Sequence, residues 1–290
     1  DGRDAILWYS TGVVVRNNRS YRCRYGFHLM FSDSVTIEDN DLTENSVGVY
    51  LMYSSGLTIK RNRMVNNRGP SGYGLGLKEA DKYNVIDNVF VGNRAGVYID
   101  GSPFTKIQPG EFTRNTFAYN DVGVVMLPAV RGNRLHANNF VDNLVQVGVL
   151  GRGNLDGNEF SVNDSGNYWS DYVGYDEDRD GLGDYDYASD HLFENLLDRE
   201  PKLRIFLLSP AQQAVEFVAR ALPAMRPEAK FFDPAPLVAP VVLQAGREPG
   251  GTSRSGLGMG AAALLLIGGA GALLVASNSP MGLARTRKPA

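Results

Sequence analysis

The chain has 290 residues, with 33 glycines, 14 prolines, one cysteine and a formal net charge of -3. Its length suits one elongated domain with appendages or two compact domains, and 43% hydrophobic with 21% charged residues excludes a largely disordered or collagen-like chain. The lone Cys23 excludes an internal disulfide or a multi-thiolate zinc site, and the mild acidity gives no electrostatic case for nucleic acid as a partner.

From Asn17 to Asn167 the chain repeats, and 20 of its 22 asparagines fall in that stretch. Asn40, Asn62, Asn88, Asn115, Asn138 and Asn158 each lead a second asparagine five residues on, from Asn45 to Asn163. Two residues after each leader comes Leu42, Met64, Phe90, Phe117, Phe140 or Phe160, and eight after four of them Gly48, Gly96, Gly123 or Gly166. Asn18 leads an earlier coil in which Cys23 takes the second slot. A period near 22 with short β-branched segments predicts a parallel β-helix over residues 1–165, with Asn and Gly in left-handed corners and asparagine side chains bonded from coil to coil.

Strand alternation sets the facing. Phe27, Leu29 and Phe31, with Val49, Leu51 and Tyr53, are predicted to point inward, as are Val97, Ile99, Val124 and Met126. Ile6, His28 and Tyr50 then form one outward column, and Trp8, Met30 and Met52 the next. Coils stack at about 4.8 Å, so the columns bring imidazole and thioether groups together, and both ligate Cu(I) well. The same groups also make a plain hydrophobic contact surface, with Trp8 and Tyr50 as partner-binding residues. Met64, Met126 and Cys23 are read as core, and His136 and His191 as isolated surface or capping residues.

Residues 166–190 form a Trp- and Asp-rich loop. Asp176, Asp178, Asp180 and Gly181 match the first half of a calcium loop, but Tyr187 replaces its closing glutamate, leaving Asp184 as the candidate closing ligand. A solvated acidic turn is the alternative.

In residues 191–222, Ser209-Pro210 starts a helix, with Val215, Phe217, Val218 and Leu222 on its apolar face. That face either packs on the last coil or docks on a partner. Residues 223–256 read as a Pro/Gly linker. Residues 257–276 are 20 uncharged, mostly apolar residues, long enough for a single transmembrane helix, and the basic tail 277–290 would be cytoplasmic. A cleaved sorting tail has the same layout.

Tyr25-Gly-Phe-His-Leu-Met-Phe-Ser32 within the solenoid, Gly166-Asn-Tyr-Trp-Ser-Asp-Tyr172 and the Asp176 to Asp184 loop together resemble the NosD family. Leu207-Leu-Ser-Pro-Ala211 and Asp233-Pro-Ala-Pro-Leu237 look like its C-terminal region. The resemblance runs from residue 1 to about 240, and the chain reads as lacking the family's amino-terminal coils and export signal. It implies an all-β, right-handed parallel β-helix on the periplasmic side of the membrane. It also implies a non-enzymatic maturation factor for the copper centre of nitrous oxide reductase. The implied partners are apo-reductase, an ABC-type ATPase and permease, a copper chaperone and the membrane. The apolar tail departs from the family pattern. The rival reading is a sugar-binding or polysaccharide-degrading β-helix, for which Lys78 and Asp100 are the weak candidates.

Overall fold

The computed structural model describes residues 5–105, 107–151, 153–206, 209–222 and 227–243. Three parallel sheets of seven, six and seven strands wrap a shared interior, forming an all-β, right-handed parallel β-solenoid. A representative coil runs through Val47–Met52, Ser55–Lys60 and Arg63–Val65, and every strand pairs with its counterparts one coil away. The inward columns fill the core: Leu29, Leu51, Leu77 and Ile99 are fully buried, as are Met64 and Met126. Below Leu42 and Met64, Phe90, Phe117 and Phe140 stack 5.0 and 4.9 Å apart.

The corners work differently from the expectation. The residue before the ladder asparagine, not the asparagine, takes the left-handed conformation: Asp39, Arg61, Asp87, Arg114 and Ala137 lie at φ 51° to 55°. Such positions cost about 1 kcal/mol or more, and the following amide offsets that with bonds to the adjacent coil. Asn62, for example, donates through N and Nδ2 to Asn88 Oδ1 at 2.9 and 3.0 Å. This ladder runs from Asn18 to Asn167, and a second runs from Asn45 to Asn143, ending on Gln146 Oε1. Cys23 donates its backbone N–H to Asn45 at the head of the second ladder, but it is only half-buried and not core.

Three further expectations give way. Asn138 bonds to Asn167, not Asn158, and Phe140 pairs with Trp169, not Phe160. Asn158 instead supports Asn133 in a short separate ladder, because the chain between Val149 and Tyr168 leaves the regular coil. Phe31 and Tyr53, read as inward, stack outside the solenoid 5.1 Å apart, since the corner at Phe31 (φ 50°) and Tyr53 (φ 52°) turns them out. The glycines of the Gly48 column lack positive φ and are there for close approach: a Cβ on Gly48 would stand 2.5 Å from Gly74 O.

Residues 227–243, in the stretch read as linker, close the solenoid's last coil. Phe232–Asp233 pairs antiparallel with Tyr187–Ala188, and Phe231 stacks on Phe160 at 4.0 Å. The fully buried Asp233 ends the first ladder, its Oδ2 accepting from Asn167 N at 2.7 Å and Trp169 Nε1 at 2.9 Å. After the Asp loop come the helices α1 (Leu192–Arg199) and α2 (Pro210–Ala221), and Ser209 caps α2 through Gln212 N. Among the described residues no helix is long and apolar enough to cross a membrane, and the run 257–276 with its basic tail lies outside them.

His191 is not isolated. Its Nε2 lies 3.3 Å from Asp171 Oδ2 and its Nδ1 3.8 Å from Glu216 Oε2, tying the Trp-containing loop to α2. These carboxylates hold the imidazolium against the cost of burial and push its pKa up to about 11, with Glu194 adding to the effect. An unfolded histidine titrates near 6.5, so this stabilisation is complete below about pH 6.5 and is lost as pH rises toward 11. The melting temperature should therefore fall between about pH 7 and 10, and His191→Gln should flatten that decline. An unchanged slope in thermal melts of the variant would contradict the assignment.

Candidate functional site

The first sheet's outer face displays both outward columns. Ile6 pairs with His28 and His28 with Tyr50, while Trp8 pairs with Met30 and Met30 with Met52. The alternation that buries Phe27, Leu29, Val49 and Leu51 forces these neighbours outward. Trp8 is 60% exposed, whereas His28, Met30, Tyr50 and Met52 are half-buried.

Within the columns, His28 Nε2 stands 3.4 Å from Met52 Sδ, one coil below. Metal bonds of about 2.0 Å to nitrogen and 2.3 Å to sulfur place two donors on one ion roughly 3–3.5 Å apart, so this pair suits a single soft cation. Met30 is the register partner of Met52 and of Trp8, so a second thioether is carried on the same outward column one coil away.

Aromatic groups frame the pair. The His28 ring stacks on Tyr25 at 4.7 Å and lies 5.9 Å from Tyr50, so its orientation is fixed from two sides. Gly76 follows Tyr50 in the column, and a Cβ there would meet the Tyr50 ring at 2.2 Å, so only glycine lets that ring lie flat. Burial pushes the Tyr50 phenol well up, and Tyr98, Asp100, Tyr73 and Tyr25 add to the effect. The Tyr50 ring therefore stays neutral at physiological pH, and with Tyr25 it walls one side of His28. Sequence spacing did not reveal Tyr25, because strand parity alone counts it as inward.

Further along the second column, Lys78 pairs with Met52 and forms a 3.7 Å ion pair with Asp100. His136 lies elsewhere, against Thr113 and Glu111, and burial lowers its pKa.

The Asp loop brings Asp176, Asp178 and Asp180 together, with one oxygen of each within 4.8 Å of the others. Asp184 stands outside that cluster and accepts from Glu177 N at 2.7 Å. The clustered carboxylates already accept backbone bonds from Asp180, Gly181 and Leu182. Tyr187, the residue at the missing glutamate position, is buried and stacks on Trp169 at 4.3 Å.

Of the apolar face predicted for α2, Phe217 at 71%, Val218 at 38% and the C-cap Leu222 at 53% are exposed, while Val215 is half-buried, and Ala219 beside them is buried. The helix packs through a neighbouring side and leaves most of its predicted apolar face in solvent.

A family model described as "Periplasmic copper-binding protein (NosD)" matches residues 1–174. The chain belongs to the NosD family. It is 34% identical over 130 residues to a "Probable ABC transporter binding protein NosD" of Pseudomonas aeruginosa. A protein of the same description from Stutzerimonas stutzeri is 33% identical over 135 residues. These matches cover 45% and 47% of this chain but only 28% and 29% of the relatives, so the chain spans under a third of their length. The matched NosD region contains the whole sulfur-and-imidazole face and ends inside the loop after Trp169. The NosD description names copper, and nothing in it points to calcium.

Proposed function

We propose that this chain is a non-catalytic copper-handling protein outside the cytoplasmic membrane, holding Cu(I) as cargo between His28 and Met52 with Met30 as a third donor. The observation that carries this reading is the 3.4 Å approach of His28 Nε2 to Met52 Sδ on an outward face, in a chain of a periplasmic copper-binding family. Two thioethers and an imidazole favour Cu(I) over harder ions, and Trp8, Tyr25 and Tyr50 keep water away from the bound ion.

The copper is destined, in this reading, for the copper centre of nitrous oxide reductase. A copper chaperone supplies it, and an ABC-type ATPase and permease work alongside. The relatives' description as ABC transporter binding proteins supports the transporter partner. Phe217, Val218 and Leu222 with Val215 on α2 offer an apolar docking strip, and the run 257–276 would anchor the chain in the membrane.

Anaerobic titration with Cu(I) against a competing chelator tests the site. The expected result is one tightly held ion, with affinity reduced at least about 100-fold in a His28→Ala, Met30→Leu, Met52→Leu triple variant. Unchanged affinity in that variant would remove the site. Binding of a polysaccharide by the tyrosine-rich face, without copper binding, would favour the sugar-binding alternative.

A further inference from the structure

The loop after Trp169 and α2 bound a cleft, and nine of its thirteen lining residues lie beyond the residues matched to the family model. Its walls carry four tyrosines, Tyr172, Tyr175, Tyr185 and Tyr187. Two are fixed: Tyr187 is buried against Trp169, and the Tyr172 hydroxyl donates to Tyr185 O at 2.6 Å. The other two form an edge-to-face pair, with centroids 5.4 Å and hydroxyls 3.2 Å apart, and each is more than half exposed. Aromatic faces are therefore held open to solvent before any ligand arrives.

The remaining lining is acidic. Asp171 and Glu216 flank His191 and share its single positive charge. Asp186 and Asp190 also line the cleft, and among the described residues neither has a cationic partner within ion-pair distance. Four carboxylates thus face one imidazolium, leaving a negative excess beside exposed ring faces. Organic cations gain most from that combination, because ring quadrupoles and carboxylates attract them together.

We propose that this cleft binds an arginine or lysine side chain presented by a protein partner. Its position fits that use. Glu216 and Ala219 line it from α2, so a segment entering the cleft also passes Phe217 and Val218 on the adjoining side of that helix. The raised pKa of His191 shows that the cleft's field already favours one cation.

The test uses the full copper-free chain and two small probes, N-acetyl-arginine methylamide and its neutral citrulline counterpart, followed by calorimetry and by NMR of the tyrosine rings. The arginine probe should bind about tenfold more tightly than citrulline, and its affinity should fall as salt is raised. Asp186→Asn with Asp190→Asn, and separately Tyr175→Ala, should abolish that preference while leaving the melting temperature unchanged, since the carboxamides are isosteric and Asp186 and Tyr175 are exposed, with Asp190 half-buried. Equal binding of both probes, no binding of either, or a preference that survives both variants would overturn the proposal. None of these outcomes depends on copper, so the failure of one reading leaves the other standing.

Discussion

Replacing Asp233 with alanine is expected to destabilise the chain by roughly 3–5 kcal/mol, although the residue lies 66 positions from Asn167, where the ladder ends. Each ladder asparagine donates through N and Nδ2 to the Oδ1 of the next coil, so the last one needs an acceptor that no further coil supplies. Asp233 Oδ2 meets that need, accepting from Asn167 N at 2.7 Å, Asn167 Nδ2 at 3.3 Å and Trp169 Nε1 at 2.9 Å. Its Oδ1 accepts from Ala235 N at 3.1 Å. Alanine would orphan three donors in a buried site, Asn167 N, Trp169 Nε1 and Ala235 N, at about 1 kcal/mol or more each, while Asn167 Nδ2 keeps Leu135 O and Phe160 O at 2.7 Å. Asp233→Asn keeps one oxygen but turns an amide N–H toward a donor, so its loss should be smaller. Denaturant unfolding of the three proteins checks the order, and an alanine variant within about 0.5 kcal/mol of the parent would refute the cap.

Gly96→Ala should be equally damaging for a steric reason. The added Cβ would stand 2.5 Å from Gly123 O and 3.0 Å from Phe117 Cδ1, in a column where Gly26, Gly48, Gly74 and Gly123 are equally close to the next coil's carbonyl. Neighbouring backbones would have to separate, and overpacking of this kind costs about 3 kcal/mol or more when backbone must move. Gly12→Ala provides the contrast. Gly12 has φ 71°, and an added methyl would find nothing within 4 Å, so it should lose only about 1 kcal/mol, from conformation alone. Equal losses at the two glycines would show that the close contact at Gly96, which lacks positive φ, adds nothing to the cost.

The solenoid, its inward columns and the outward His28, Met30 and Met52 were legible because periods of two and about 22 residues repeat over many coils. Errors arose where repetition ends. Asn158-Glu-Phe160 copies the repeat's spacing, yet the irregular chain after Val149 hands its place to Asn167 and Trp169. Asp233 was unreadable in principle, since a single carboxylate in a Pro-rich stretch has no local signal for a contact with Asn167. The same holds for His191, whose partners Asp171 and Glu216 lie 20 and 25 positions away on separate elements. The 3.4 Å approach of His28 to Met52 needed side-chain rotamers, whereas the register that permits it needed only the period.

X-ray absorption at the copper edge of the Cu(I)-loaded chain, in a Cys23→Ser background that removes the lone thiol, addresses the copper assignment most directly. Sulfur scatterers near 2.3 Å together with the outer-shell pattern of one imidazole are expected, and both should vanish with His28, Met30 and Met52 replaced. A spectrum of oxygen and nitrogen neighbours alone, or an unaltered one in the triple variant, would contradict copper capture at this face.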